Sequence, residues 1–323
     1  MKKIYFISTL LLSYFGSVAQ TIPTDSLVAK YMFDGNGDDV SGNNYDLTFV
    51  NAGLTEDRFG NTNQAMALDS AISYAYSTIG NHETAITIAF WYYSEGQTQP
   101  YPHFFDYGNY MFRCHLMSGS IYNSDQGGIL IESNNSPTNN EMRGAIKPGE
   151  KKWTHVAVSF SNSGIEKLYI NGELDKSKTI DNANLKLEDD TLNFGRIFRS
   201  GDLAGRNTSQ FNGKMDDILV YNRELSSIEV KSIYNYLPLA SVASKNNINS
   251  NIVIYPNPSK NTIHIRGIDA ENSIIKLYNM EGKELLNISS STLDISLFPS
   301  GIYMLKIFEK GSSLPSIHKV IKN

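Results

Sequence analysis

"KLYINGEL" (residues 167–174) decides the fold class. Asn171-Gly172 stands between two runs of alternating apolar and polar residues, and both tolerate the positive φ that a two-residue hairpin turn demands. The stretch therefore reads as two antiparallel strands joined tightly. The same period, rich in β-branched and aromatic residues, recurs in "ITIAFWYY" (86–93), "THVAVSF" (154–160) and "MDDILVYN" (215–222). Many short strands separated by polar turns predict an all-β sandwich or jelly roll. One helix interrupts them. Ser226 and Ser227 offer an N-cap, Glu229 falls in the first turn, and Ile228, Val230, Ile233 and Tyr234 recur at near-helical spacing before Pro238. This helix is expected to pack against the sandwich edge.

Outward from this region the chain changes character twice. Residues 238–251, "PLASVASKNNINSN", are small and polar without periodicity, the mark of a linker. Residues 252–323 return to alternating strands, "IVIYPNP", "TIHIRGI", "SIIKLYNMEGKEL", "TLDIS" and "GIYMLKIFE", enough for a second, small Ig-like β-sandwich. At the other end, Lys2-Lys3, an apolar run over 4–15 and the small residues of 16–19 follow the order of a secretory signal peptide cut after about Ala19. The first large domain is thus expected over 20–237. No later stretch approaches the ~18 consecutive apolar residues of a membrane span, so no transmembrane segment is expected in the mature chain.

The 323 residues carry a formal net charge of -5 with no basic cluster, which argues against a nucleic-acid partner. The single cysteine, Cys114, has no partner for an internal disulfide, and in "YMFRCHL" it reads as a buried small hydrophobe.

Two resemblances add to this reading. "LVAKYMFDGNGDDVSGNNYDLTFVNAGLTEDRFGNTNQAMALD" (27–69), followed in order by "AITIAFWYY", "KKWTHVAVSF", "KLYINGEL" and "FNGKMDDILVYNRELSSIEVKSIY", resembles the laminin-G-like, concanavalin A-like jelly-roll family of bacterial secreted proteins. The tail resembles the C-terminal sorting domain of the type IX secretion system of Bacteroidetes, through "YPNPSKNTIHI", "IIKLYNMEGKEL", "LDISLFPSGIYMLKI" and the basic end "HKVIKN". The second resemblance implies a type IX translocon as partner. It also implies export across both membranes, removal of the tail, and a product on the cell surface or in the medium.

Candidate site residues come from both readings. "FDGNGDDVSGNNYDLT" (33–48) is crowded with side-chain oxygens that suit a turn or a calcium ion. As an EF-hand it fails, with Asp39 where Gly is needed and Tyr45 where Glu is needed. The laminin-G-like resemblance implies instead a structural Ca2+ clamping the two ends of the domain, held by Asp39 and Asp216, with Asp217, Asn36 and Asn43 as further ligands. Catalysis finds no support, because no strand carries the alternating acids of sandwich glucanases. The adjacent acids of "LEDDTL" (187–192) and "KMDDIL" (214–219) face opposite sides of a regular strand. His155, Trp91 and Trp153 lie inside alternating strands and read as packed residues. "SDQGG" (124–128) reads as a turn. The aromatic stretch "PYPHFFDYGNY" (100–110) offers Tyr101, His103 and Tyr107 as glycan-binding candidates. The expected function is non-catalytic binding of a glycan or an extracellular protein, with a polysaccharide-degrading enzyme or a structural adhesin as alternatives.

Overall fold

A computed structural model describes residues 22–69, 72–97, 101–118, 125–133, 141–180, 185, 187–197, 210–236, 252–309 and 315–323. The signal-peptide and linker expectations lie outside the described residues. The rest is all-β, a jelly-roll sandwich followed by a small β domain.

The sandwich has two antiparallel sheets. The first runs in the order Glu173–Thr179, Ile165–Ile170, Trp153–Phe160, Ile86–Ser94, Gly213–Tyr221, Ala65–Leu68, Gly53–Thr55, with Leu27–Tyr31 also pairing Gly213–Tyr221. The second runs Glu141–Arg143, Ile129–Ser133, Phe112–Leu116, His103–Tyr107, Thr191–Phe194, Tyr74–Thr78, Thr48–Val50. The expected hairpin forms, with Asn171 at φ 50° and Gly172 at φ 77°. A Cβ on Gly172 would also lie 2.9 Å from Lys231 Cδ and 3.0 Å from Tyr234 Cβ, so the turn needs glycine for space as well as for angle.

Alternation sorts the central strand Ile86–Ser94 between two cores. Ile86, Ile88, Phe90 and Tyr92 face the second sheet and join Val156, Val158, Phe160, Phe104, Phe105 and Phe112 in the main core. Cys114 lies in this core, fully buried, and burial pushes its thiol well up. Ala89 and Trp91 face outward, yet both are buried.

The helix Ser227–Tyr234 covers Ala89. It carries the expected Ser226 cap with a reciprocal Glu229 bond, but it lies on the outer face of the first sheet rather than at its edge. Ala89 and Ala157 stand opposite each other in register, and Leu219 pairs with Ala89 on its other side. Two methyl side chains leave a shallow trough there, which Val230 and Ile233 fill together with Tyr169 and Leu225. Ile228, placed on the apolar face by spacing, is 83% exposed because it lies about 200° around the helix from Val230.

The small β domain, 252–323, has sheets Val253–Tyr255, Thr262–Arg266, Thr292–Asp294 and Glu284–Ile288, Ser273–Tyr278, Gly301–Glu309, Ser316–Lys322 around its own core of Ile263, Ile275, Leu277, Leu305 and Ile307. It meets the sandwich through a separate apolar cluster of Phe59, Ala65, Trp91 and Trp153 with Met280 and Met304. Lys306 donates from there to the Phe59 carbonyl. The first sheet is thus covered on both faces, which explains why its central strands read as nearly continuous apolar runs.

One side chain sits badly in this scheme. Glu166 is fully buried at the main core's margin, and burial pushes its carboxyl up to about 7 against the pull of the Ser133 hydroxyl and Lys178. A carboxyl raised in the folded state stabilises below its unfolded value near 4.5, and that contribution is lost as pH rises through about 7. Denaturant titrations should therefore show stability falling by ~3 kcal/mol across this window, and Glu166→Gln should flatten the slope.

Candidate functional site

The loop proposed for calcium is a hydrogen-bonded turn. The Asp39 carboxylate accepts from Lys30 N (2.9 Å), Ser41 N (2.9 Å), Ser41 Oγ (2.8 Å) and Tyr45 N (3.1 Å), while Asp39 N donates to Asp46 at 2.8 Å. Asn43 lashes the loop to the carbonyls of Leu27 and Val28, and Asn36 bonds Asp38 within its own exposed turn. Four donors of its own loop and of Lys30 thus occupy both oxygens of the Asp39 carboxylate.

Asp216 and Asp217 answer to a different cation. Arg58 Nη1 lies 2.8 Å from Asp216 Oδ2 and Nη2 lies 2.7 Å from Asp217 Oδ2, with the guanidinium fully buried. Neighbouring residues of a regular strand could not share one partner, but a bulge interrupts the pairing between Asp216 and Leu219 and Asp217 adopts φ 46°. That kink corrects the expectation of opposite-facing acids. Burial and the Asp217 charge push Asp216 well up, with Arg58 pulling the other way. The guanidinium also stacks 4.6 Å from the ring centroids of both Phe59 and Trp91. Asp39 and the Asp216-Asp217 pair do not converge into one ligand group among the described residues. The residues do not fit a calcium shared by Asp39 and Asp216: Asp39 is taken up by donors of its own loop, and the cation beside Asp216 and Asp217 is Arg58, in "TEDRFGN", a residue that spacing did not single out.

The other candidates divide. Tyr107 points into the main core, where its hydroxyl donates to Gly80 O and accepts from His82 N, so it cannot meet a glycan. His103 and Tyr101 lie on the opposite, outer side of the second sheet, where His103 is buried and Tyr101 alone of the three candidates is exposed. His155 packs against Trp91 and Tyr234 as expected.

That outer face holds the arrangement least visible in the sequence. Tyr76, Asn193, Asp106, Arg113, Glu132 and Glu141 occupy six successive strands at paired positions, forming one row across the sheet. Arg113 binds Glu132 through Nε (3.2 Å) and Nη2 (2.9 Å) and stacks on Tyr110. Arg196 binds the Asn193 amide oxygen and stacks 3.4 Å from the Tyr74 ring centroid. Burial pushes the Glu132 carboxyl up, but His115 and Arg113 outweigh it and hold it down at about 2. Above the row, the His103 and His115 rings lie 4.7 Å apart, Tyr101 leans on His115, and both imidazoles approach Glu132. The available signal was polar residues set into otherwise apolar runs, Asp106 in "FDY", Asn193 in "LNF" and the alternating Arg113 and His115 in "FRCHL".

Residues 62–231 match the concanavalin A-like lectin/glucanases superfamily, and residues 253–323 match the secretion system C-terminal sorting domain. The chain belongs to the concanavalin A-like lectin/glucanase superfamily and carries a sorting tail that marks it for export by the type IX secretion system. No curated protein matches it. Among solved structures, it is similar to the receptor binding domain of botulinum neurotoxin C/D mosaic serotype (16% identity, TM-score 0.51, 88% of this chain and 71% of that one). The serotype D ligand binding domain, solved with N-acetylneuraminic acid, gives the same identity, score and coverages. Domain 4 of AbnA, a GH43 extracellular arabinanase from Geobacillus stearothermophilus solved with arabinotriose, matches at 20% identity and TM-score 0.49, covering 65% of this chain and 98% of that one. Among the described residues no helix is long and apolar enough to cross a membrane.

Arg58→Met should cost about 3–5 kcal/mol of unfolding free energy, because it strands two buried carboxylates. Adding Asp216→Asn and Asp217→Asn should restore much of the loss, and millimolar calcium should leave the wild-type melting temperature unchanged.

Proposed function

We propose that the chain is an exported, non-catalytic binding protein that recognises a carbohydrate on the outer face of its second sheet. The observation that carries this reading is the set of half-buried rings Tyr74, Tyr76 and Tyr110 and the exposed Tyr101, with the half-buried Arg196 and Glu132 among them, over a register-aligned row whose Asn193, Asp106 and Arg113 are themselves buried. Sugars need this pairing of hydrogen-bonding groups with flat apolar rings. The relative solved with N-acetylneuraminic acid shares the fold, which supports the reading at the level of architecture.

A glycosidase mechanism finds less support. Asp106 and Glu132 stand two strands apart, about 9–10 Å between backbones, with Arg113 between them. Retaining chemistry needs carboxyls about 5–5.5 Å apart, and either route needs a carboxyl that holds a proton. Glu132, held at about 2 beside Arg113, is poorly suited to that role. Calcium plays no part in the proposed site.

A glycan array probed with the purified protein should give a defined set of positive sugars. Arg196→Ala and Tyr74→Ala should each weaken binding at least tenfold without lowering the melting temperature. Retention of every signal in both variants, or an array with no positive sugar, would move the reading to an extracellular protein ligand.

A further inference from the structure

We propose that His103, His115 and Glu132 form a binding site for a divalent transition-metal ion of the zinc type. Their ligand atoms all lie within 4.8 Å of one another, and His115 Nε2 is already 3.3 Å from Glu132 Oε2. Two ligands on a tetrahedral ion with bonds of about 2.0–2.1 Å stand about 3.3 Å apart, so this edge is formed and the site closes with a small movement of His103.

The tautomers suit a metal. His103 Nδ1 is 2.6 Å from Tyr101 O and His115 Nδ1 is 3.2 Å from Leu116 O. A carbonyl oxygen only accepts, so each Nδ1 carries a hydrogen and a backbone group orients each imidazole as it does a ligating one; His103 Nε2 keeps its lone pair, whereas the hydrogen that His115 Nε2 donates to Glu132 is the one a metal ion displaces. His103 Nε2 has no hydrogen-bond partner although the residue is 2% exposed. A buried polar nitrogen left in that state costs free energy, and a metal ion satisfies it.

The opposing force is Arg113, a buried cation bound to Glu132. It raises the cost of a nearby dication, but it also holds the carboxylate ionised and in place, as outer-shell partners of ligating carboxylates do. Ring stacking alone would explain the 4.7 Å separation of the imidazoles but would leave His103 Nε2 unsatisfied. Three protein ligands leave a fourth coordination position, and the partly exposed Glu132 side chain and the 41% exposed Tyr101 give it access to solvent. Two imidazoles select zinc, copper, nickel or iron over calcium. The inference does not depend on the ligand being a carbohydrate.

The test uses the purified two-domain protein without an affinity tag, stripped with chelator and titrated with zinc chloride by calorimetry. One equivalent should bind with a micromolar or tighter Kd. The double variant His103→Gln/His115→Gln should bind at least a hundredfold more weakly, and Glu132→Gln at least tenfold. Cobalt(II) should give visible d–d absorption in the wild type that zinc displaces, a readout that holds even where a variant folds poorly. No stoichiometric uptake by the wild type, no cobalt band, or zinc affinity that survives in a folded double variant would overturn the proposal.

Discussion

A guanidinium with no contact to water ties this molecule together. Arg58 bridges two carboxylates on the central strand Gly213–Tyr221, lies against Trp91 from the neighbouring strand, and precedes the residue whose carbonyl receives Lys306 from the small β domain. Ions are costly to bury, and truncating one partner leaves the others stranded, so the cluster holds only when loop, bulge and strand all take their native positions. Asp57 secures the loop's side of the bargain by accepting from Phe59 N, Asn61 N and Asn61 Nδ2, each at 2.8 Å. The cluster thus works as a check on assembly more than as a source of stability.

The two sheets have divided the work of the fold. The first buries both faces, one against its partner sheet and the other under a helix and the small domain. The second keeps a single apolar face and gives its other face to charged and aromatic groups. Binding chemistry can therefore sit on rigid strands without entering the core.

Period-two alternation and the Asn171-Gly172 turn made the strands readable, because both are local properties of the chain. The helix start was equally local, since the Ser226–Glu229 box is complete within four residues. Its seat was not, because the trough arises only when Ala89 and Ala157 meet across two strands. The candidate site failed to show for the same reason. Asp106, Arg113 and Glu132 look like stray polar residues until the ladder aligns them. Arg58 is hidden by its distance from Asp216, 158 positions along the chain. The aspartates pointed toward a cation at this end of the domain, but nothing in their spacing distinguished an ion from an arginine. Tyr107 was misassigned because a bulge between His103 and Phe105 changes which residues of that strand face the core.

The transverse row has a consequence for how such a surface varies. Each of its members sits opposite the core on a strand whose neighbours are locked by hydrogen bonds, so an inserted or deleted residue within a strand would turn that member inward and its apolar neighbours out. Substitution at the row's half-buried and exposed members, Tyr76, Glu132 and Glu141, leaves the packing behind them untouched. Change at this face is therefore confined to exchanging letters at fixed addresses, and the sandwich works as a typesetter's frame in which new recognition is composed without recasting the type.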